Sequence, residues 1–141
     1  MRDIEKTLIL LKPDAVIKGV CGQIIERFEK RGFKIIALKM LQLTKEQAEI
    51  HYQEHNGRPF FQELVSFIIS GPLIAMVISG ENVIKASRNM MGSTNPLDAA
   101  TGTIRGDFAL NVRSNMIHGS DSLMSAEKEI KHFFNDNELC L

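Results

Sequence analysis

Three short apolar runs constrain this chain more than any other feature. Residues 8–11 form an uninterrupted run that Lys12 and Pro13 end, residues 73–78 form another, and residues 33–43 are a longer segment rich in Ile and Leu with Lys39 inside it. Uninterrupted apolar runs of this length are typical of strands that are buried on both faces, whereas a bilayer-spanning helix needs about 20 such residues. The runs therefore predict three buried strands and no membrane span.

Helix signals separate these runs, and each signal is of a kind that marks one end of a helix. They are Gly32 after apolar residues at helical spacing over 21–28, a capping box of Thr44 and Gln47, Pro59, Asn82, and Ser122.

A long stretch with no clear period follows the third run. Residues 92–108 contain three glycines and predict a loop, and residues 109–117 are expected to hold a fourth strand. The order β-α-β-α-α-β-α-loop-β-α favours an α+β sandwich with a split β-α-β arrangement in a single domain over residues 1–141. A flavodoxin-like parallel sheet is the alternative, but four strands are few for it.

The charge balance restricts the class of partner. Formal net charge is zero, because 17 Lys and Arg residues offset 17 Asp and Glu residues. Without a global basic field, we expect no membrane partner and no specific nucleic acid. Cys21 and Cys140 lie outside any Cys/His cluster, and the charged residues 1–6 lack the apolar stretch of a secretory signal. Free thiols and a cytoplasmic location are therefore expected.

One histidine stands where chemistry is most expected. An apolar run leads into His118, and Gly119, Ser120, Asp121 and Ser122 follow before a helix pattern. Histidine is a good nitrogen nucleophile near neutral pH, and free N–H groups at a helix start suit phosphate. We therefore expect His118 at a strand end, in a setting for phosphate chemistry, although a lone histidine after an apolar run is more often structural.

Glu129 is a candidate partner for this histidine. It lies two turns into the last predicted helix, so a helix packed back on its strand would return it to His118. A carboxylate on one ring nitrogen fixes the tautomer and frees the other nitrogen to attack. The alternative is that Glu129 is a solvated helix residue.

Cations at element ends are candidate phosphate ligands. Lys12 directly follows a predicted strand, while Arg88 and Arg105 lie near or within the long loop, as does Thr94. Transfer of a phosphoryl group needs positive charge spread over several oxygens, which arginine supplies in a planar fork. Spacing alone does not distinguish these residues from solvent-facing cations.

Two aromatic residues are further candidates. Phe60 and Phe61 point about 100° apart on a helix, so one can face the core and the other a cleft, where it could stack a base. Tyr52 could place its hydroxyl on a phosphate or on a carbonyl.

Other nucleotide-binding machinery is missing from the sequence. It has no P-loop, no dinucleotide fingerprint and no protein-kinase signature. His51 and His55 are four residues apart, but they lack the glutamate placement of a zinc-protease motif.

The sequence resembles the nucleoside diphosphate kinase family over about residues 6–134. Asn115 and His118 to Ser122 form the most specific shared motif, and the stretches 11–15, 58–61, 70–72, 94–96, 102–108 and 125–130 accompany it in order. The resemblance implies a ferredoxin-like fold with a four-stranded antiparallel sheet, a βαββαβ core covered by helices. It also implies ping-pong transfer of the γ-phosphate of nucleoside triphosphates, mainly ATP, to nucleoside diphosphates.

The resemblance also implies a role for each matching residue. His118 would be phosphorylated on its δ nitrogen and oriented by Glu129 and Ser120. The phosphates would be held by Lys12, Arg88, Thr94 and Arg105, and the ribose would contact Lys12 and Asn115. Tyr52 would lie beside the phosphate path, and the base would be clamped by Phe60 and Val112. Mg²⁺ would be carried by the nucleotide phosphates rather than by a protein cage. A homo-oligomer, either tetramer or hexamer, is implied as well.

Two other functions remain open from the residues. One is a nucleotide- or RNA-binding module without catalysis, and the other is a histidine phosphocarrier that passes phosphate to a protein. Zero net charge and a single clear stacking aromatic weigh against RNA.

Overall fold

A computed structural model describes residues 4–141 and, over that range, places helices on both faces of a four-stranded sheet. In chain order the elements are β1 (Ile4–Leu11), α1 (Pro13–Lys18), α2 (Cys21–Arg31), β2 (Lys34–Leu41), α3 (Lys45–His51), α4 (Phe61–Ile68), β3 (Leu73–Glu81), α5 (Val83–Met91), α6 (Ile104–Phe108), β4 (Ile117–Gly119) and α7 (Leu123–Phe133). Short 3₁₀ turns lie at Gln53–His55, Pro96–Asp98 and Asp136–Glu138. Within residues 4–141, each helix falls short of the length and apolar character that crossing a membrane requires.

The sheet order is β2-β3-β1-β4, and every neighbouring pair is antiparallel. With α2 and α5 as the two crossover helices, this is the β-α-β-β-α-β arrangement of the ferredoxin-like fold. The predicted α+β sandwich with a four-stranded antiparallel sheet is confirmed, and the parallel alternative is excluded.

Strand β1 runs through the centre of the molecule. Ile9 and Leu11 pack into one apolar cluster with α2, while Leu8 and Leu10 pack into a second cluster with α4 and α7. All four side chains are fully buried. Because successive strand residues face opposite sides, an uninterrupted apolar run is what a strand covered on both faces requires. Each such side chain contributes about 1.5–3 kcal/mol by leaving water.

Several helix ends lie where the sequence predicts them. Thr44 accepts a hydrogen bond from the Gln47 N–H at 3.1 Å, and the Gln47 side chain returns to the Thr44 N–H at 2.9 Å. Ser122 caps α7 through the Ser125 N–H, and Gly32 ends α2 in the left-handed region with φ 105°. Pro59 was expected in a first turn, but α4 begins after it, at Phe61.

The start of α5 differs from the prediction in its chemistry. Asn82 precedes the helix as expected, but among the described residues its side chain makes no capping hydrogen bond. The Glu5 carboxylate of β1 accepts from the Ile84 N–H at 3.3 Å instead. A neighbouring strand therefore supplies the cap.

The predicted position of the fourth strand is wrong. Strand β4 spans only Ile117–Gly119, so His118 lies within the strand rather than after its end. The preceding segment is folded into a turn, because the Asn111 side chain accepts from the N–H groups of Arg113 and Ser114 at 3.1 and 2.9 Å. Met116 then adopts φ 68°, which a strand does not allow.

The long loop is also more structured than the sequence indicates. Helix α6 lies inside residues 92–108, capped by the Thr103 hydroxyl, which accepts from the Gly106 N–H at 3.1 Å. Helix α1, which the patterns did not predict, follows β1 and ends at Gly19 with φ 77°. Both helices are too short to show a clear apolar period.

Candidate active site

Strand register decides which face of the sheet His118 occupies. His118 pairs with Leu10 of β1, whereas Ile117 and Gly119 pair with Leu11 and Ile9. His118 therefore shares the face of Leu10, on the side that α7 covers, and its neighbours face the opposite cluster. Gly119 lies close to Met91, because a Cβ at that position would stand 2.7 Å from its Sδ and the methionine side chain would have to shift.

Helix α7 brings a carboxylate to this histidine. The Nε2 of His118 lies 2.9 Å from Oε1 of Glu129, and the Ser120 hydroxyl donates to the same oxygen at 2.7 Å. Ser120 is itself fully buried and held at β1, where its N–H donates to the Leu8 carbonyl at 3.2 Å. The carboxylate is thus fixed from two sides.

The electrostatics of this cluster favour an ionised carboxylate. Burial opposes ionisation of Glu129, but the hydrogen bonds with His118 and Ser120 outweigh it and lower the pKa of Glu129. An ionised carboxylate accepts a hydrogen bond from the Nε2–H group of His118, so in that tautomer the Nδ1 lone pair is left free of this bond. The arrangement suits a nucleophile that reacts through Nδ1.

His118 lines a cavity of about 610 Å³ whose walls carry all five predicted phosphate and ribose ligands. These ligands are Lys12, Arg88, Thr94, Arg105 and Asn115. They come from β1, α5, the loop, α6 and the turn before β4, so distant parts of the sequence meet in one place.

Arg105 is built into the site by main-chain bonds. Its Nε donates to the Asn115 carbonyl at 3.3 Å, and its terminal nitrogens donate to the carbonyls of Gly92 at 2.9 Å and Ile117 at 2.7 Å. Burial and the nearby Arg88 lower the pKa of Arg105 to about 10, so it remains a cation at neutral pH. A guanidinium has five N–H groups, so donors remain for a ligand.

Lys12 is held in a chain of side chains. Its Nζ donates to Oδ1 of Asn115 at 2.9 Å, and the Asn115 amide donates to the Thr94 carbonyl at 3.1 Å. Burial and the charge of Arg105 lower the pKa of Lys12 to about 8, while Asp14 acts in the opposite direction. Lys12 and Arg105 therefore concentrate positive charge in the buried part of the wall. Arg88, which is exposed and donates to the Gly119 carbonyl at 3.1 Å, adds to it.

Asp14 holds the turn that precedes β4. Its Oδ2 accepts from the Met116 N–H at 3.1 Å, and Met116 has the positive φ noted above. Burial raises the pKa of Asp14, partly offset by Lys12 and by backbone N–H groups. This carboxylate was not among the candidates from sequence, although it lies within the stretch 11–15 that carries the resemblance.

Besides the buried Ser120, three other predicted residues lie outside the cavity wall as the described residues form it. Tyr52 is buried in the second apolar cluster, and burial raises its pKa. Phe60 is 38% exposed and tilted against the His55 ring at 5.3 Å, while Phe61 is buried, so the two rings do point apart. Val112 is 50% exposed.

The elements that carry Phe60 and Val112 are bridged beside them. Glu63 of α4 pairs with Arg113 at 3.1 Å, and both side chains are more than half exposed. We call Phe60, Glu63, Val112 and Arg113 the entrance, because the resemblance assigns Phe60 and Val112 to the nucleotide base.

His51 is a cavity residue that the sequence reasoning missed. Its ring meets that of His118 edge-on at 4.8 Å and that of Phe133 at 5.7 Å. Burial and the neighbouring His118 and Lys12 lower the pKa of His51 well below its ordinary value, so it is neutral at pH 7. A signal existed, because His51 lies three residues after buried Ala48 and so shares its helix face.

The donor set does not form a protein cage for a metal. Among residues 4–141, no three His, Cys, Asp or Glu side chains are grouped so that they could hold an ion. The cavity instead offers cations, which suit the phosphates of a nucleotide and any divalent ion that those phosphates carry.

Comparison with known proteins places this arrangement in context. A family model described as nucleoside diphosphate kinase matches residues 5–139. A nucleoside diphosphate kinase from Brugia malayi is 57% identical over 136 residues, which is 96% of this chain and 89% of that protein. One from Halalkalibacterium halodurans is also 57% identical, over 96% of this chain and 92% of its own.

Solved structures give the same picture. A halophilic nucleoside diphosphate kinase from Halobacterium salinarum, in complex with CDP, superposes with a TM-score of 0.95 at 45% identity, over 97% of this chain and 91% of that one. The nucleoside diphosphate kinase of Aquifex aeolicus gives a TM-score of 0.95 at 46% identity, over 97% and 99%.

Proposed function

The chain belongs to the nucleoside diphosphate kinase family, and from that premise we propose that His118 carries the phosphate between its two nucleotide substrates. As a phosphotransferase of this family, it moves the γ-phosphate of nucleoside triphosphates to nucleoside diphosphates. The observation that carries the proposal is the His118–Glu129 bond in the wall of a cationic cavity. There Nε2 is occupied and Nδ1 is left for the phosphorus.

The first half-reaction breaks one bond and forms one. Nδ1 of neutral His118 attacks the γ-phosphorus of a nucleoside triphosphate, the bond from that phosphorus to the β–γ bridging oxygen breaks, and the nucleoside diphosphate leaves. The ring now carries the phosphoryl group on Nδ1 and keeps its proton on Nε2, where the Glu129 carboxylate stabilises the growing positive charge. A β-phosphate oxygen of a second nucleoside diphosphate then attacks the same phosphorus, the bond from phosphorus to Nδ1 breaks, and its electron pair returns to Nδ1, which regenerates neutral His118 and releases the nucleoside triphosphate.

Cations supply most of the rate enhancement in this scheme. Lys12, Arg88 and Arg105 neutralise charge that spreads over the transferring phosphoryl oxygens, and Thr94 adds a hydroxyl ligand. Arg105 is fixed by three carbonyls before any nucleotide arrives, so little reorganisation is needed during transfer. Asn115 is held between Lys12 and Thr94, and with Lys12 it is proposed to contact the ribose.

The part of the site that binds the nucleoside is proposed to discriminate little between different bases. Phe60 presents an exposed ring that can stack on any base, and Val112 is proposed to close the other side. Tyr52 is proposed to border the phosphate path from its buried position.

The family uses a divalent cation, and we propose Mg²⁺. It enters with the substrate, bound to the nucleotide phosphates, because it keeps several waters and needs few protein ligands. It supplies charge neutralisation there.

We also propose a single domain over residues 1–141, a cytoplasmic location and a homo-oligomer, either tetramer or hexamer. The two cysteines are free, as a reducing compartment would leave them. Leu97 and Leu110 are 83% and 81% exposed on the segment between α5 and β4, which is the kind of surface that association covers. Molecular mass in solution tests the assembly.

The proposed role of His118 is tested by trapping the intermediate. Incubation with γ-labelled ATP and Mg²⁺ should place acid-labile, alkali-stable label on the peptide that contains His118, and dTDP should remove it as dTTP. His118→Ala should take up no label, while His132→Gln should still be labelled on His118. Label on another residue contradicts the proposal. Nucleotide binding without turnover would indicate a binding module, and stable label that dTDP does not remove would indicate a phosphocarrier.

A further inference from the structure

We propose that Asp14 is a positioning residue, which holds the turn at Met116 and through that turn sets the place of the His118 ring. The inference rests on the proposed role of His118. It adds a residue that neither touches a substrate nor belongs to the cationic wall.

The turn at Met116 is unfavourable for a side chain. Met116 has φ 68°, and the Ile117 N–H donates to the Asn115 carbonyl, two residues earlier, at 2.8 Å. A three-residue turn with positive φ is rare and strained, since a residue with a Cβ crowds its own backbone there. Such conformations persist where the surroundings over-determine them.

Residues at the junction between β1 and α1 hold Met116 in this conformation. Asp14 accepts from the Met116 N–H at 3.1 Å, and the Lys12 N–H donates to the Met116 carbonyl at 2.8 Å. Both polar main-chain groups of Met116 are therefore held by a segment that lies about a hundred residues away in sequence. Lys12 does this with its backbone, whereas Asp14 uses a side chain that can be changed.

Two functional groups flank this turn directly. Asn115, which fixes the Lys12 ammonium, precedes Met116, and His118 lies two residues after it. Arg105 holds the carbonyls of Asn115 and Ile117 on either side but, among the described residues, makes no hydrogen bond to Met116 itself. Without Asp14, Met116 could relax to negative φ, which would displace the start of β4 and with it His118.

Asp14 also carries a charge, and the test has to separate the effect of this charge from the effect of the hydrogen bond to Met116. Its charge raises the pKa of Lys12, so it could act as a counter-charge rather than as an acceptor. The two roles differ in what rescues them. An uncharged acceptor restores the turn, and a glycine at position 116 removes the need for it.

The experiment measures single-turnover phosphorylation of His118 by ATP in Asp14→Ala and Asp14→Asn, each in three backgrounds: wild type, Met116→Ala and Met116→Gly. Met116→Ala removes nearly as much side-chain packing as Met116→Gly but keeps the Cβ. It is therefore the matched control for the lost side-chain volume. In the wild-type and Met116→Ala backgrounds, Asp14→Ala should slow the step about 10²-fold, the scale of a 1 Å misplacement. In the Met116→Gly background the loss should fall below about fivefold. Asp14→Asn should stay within about fivefold throughout, and KM should change less than the phosphorylation rate.

The outcomes separate this proposal from the one it rests on. If Asp14→Ala costs the same factor in the Gly and Ala backgrounds, or if Asp14→Asn is as slow as Asp14→Ala, the turn mechanism is overturned. If Asp14→Ala does not fold in the wild-type background, the Asp14→Asn variant and the double variant Asp14→Ala with Met116→Gly still decide the question. Failure of the wild-type chain to label on His118 would instead contradict the proposed function.

Discussion

The two ends of the proposed site are built in different ways. At the histidine end, Ser120, Glu129 and Arg105 are held by side-chain bonds of 2.7–3.3 Å. At the entrance, Phe60 and Val112 are exposed, and the Glu63–Arg113 pair that joins their elements lies in solvent. An exposed pair of this kind contributes about 0–1 kcal/mol and weakens in salt.

This contrast teaches where accuracy is needed. Phosphoryl transfer depends on sub-ångström placement of a few groups, and buried, fully bonded side chains supply it. Recognition of many different bases needs a surface that adapts, and an exposed ring supplies that at little structural cost. A change at the histidine end should therefore alter the transfer rate, and a change at the entrance should alter affinity.

The largest effect is expected at Arg105. Arg105→Gln should lower kcat by about 10²–10³-fold, the scale of losing one preorganised donor, and should destabilise the fold by about 2 kcal/mol or more because buried carbonyls lose their donor. Arg105→Lys keeps the charge but not the planar fork, so it should recover little of either loss. Stopped-flow phosphorylation and urea unfolding measure the two quantities.

Arg113→Gln is the matched control for that experiment. It removes one guanidinium from the same stretch of chain, but Arg113 is exposed and paired only across the entrance. Its kcat should stay within about twofold of the wild type. If the two arginine variants lose kcat equally, the division between the ends is wrong.

A smaller effect should appear as pH dependence at Lys12. Its pKa of about 8 means that the ammonium is present below pH 8 and is lost above it. In the free enzyme, kcat/KM should therefore fall about tenfold per pH unit above 8, and Lys12→Arg should remove that decline from the profile.

Stability provides the check on that profile. Because folding lowers the pKa of Lys12 from 10.5, the unfolded chain binds more protons between about pH 8 and 10.5, so the contribution of Lys12 to stability rises with pH in that window. Activity and this contribution move in opposite directions. A profile that stays flat through pH 9 in the wild type would contradict the role of the ammonium.

The smallest effect is expected at the entrance. Phe60→Ala should raise KM for nucleoside diphosphates about fivefold to tenfold, with kcat within about twofold, because one stacking face is lost. Phe60→Tyr, which keeps the face, should behave as the wild type. A fall in kcat without a change in KM would assign Phe60 to the histidine end instead. Initial rates with dTDP and GDP test both variants.

Much of the fold was predictable because it follows from local pattern. The buried run in β1 and the Thr44 capping box are signals that the chain itself carries. Strand β4 was misplaced because its three residues are defined by pairing with β1 and by the turn that Asp14 holds, and neither leaves a periodic signature. The start of α5 was missed in detail for the same reason, since Glu5 provides its cap from another strand.

The candidate site likewise contains residues that the sequence identifies and residues that only tertiary packing reveals. His118 is a candidate from its residue type and position, whereas helix periodicity alone favours a solvated Glu129, and the structure brings the two side chains to 2.9 Å. Lys12, Arg88 and Arg105 came from the family resemblance, because charge pattern alone does not distinguish a buried cation from a solvated one. The carbonyl ligands of Arg105 and the edge-on contact of His51 with His118 depend on tertiary packing, which the sequence patterns do not report.

Successive side chains of β4 face opposite sides of the sheet, so each molecule is either able to accept phosphate on His118 or unable to do so. If β4 paired with β1 one residue out of step, the imidazole would turn to the opposite side of the sheet, away from Glu129, and no neighbouring side chain would replace it. A preparation with misaligned chains would then contain fewer working molecules rather than slower ones. The burst of phosphate taken up per mole of polypeptide would thus count correctly folded chains, independently of turnover.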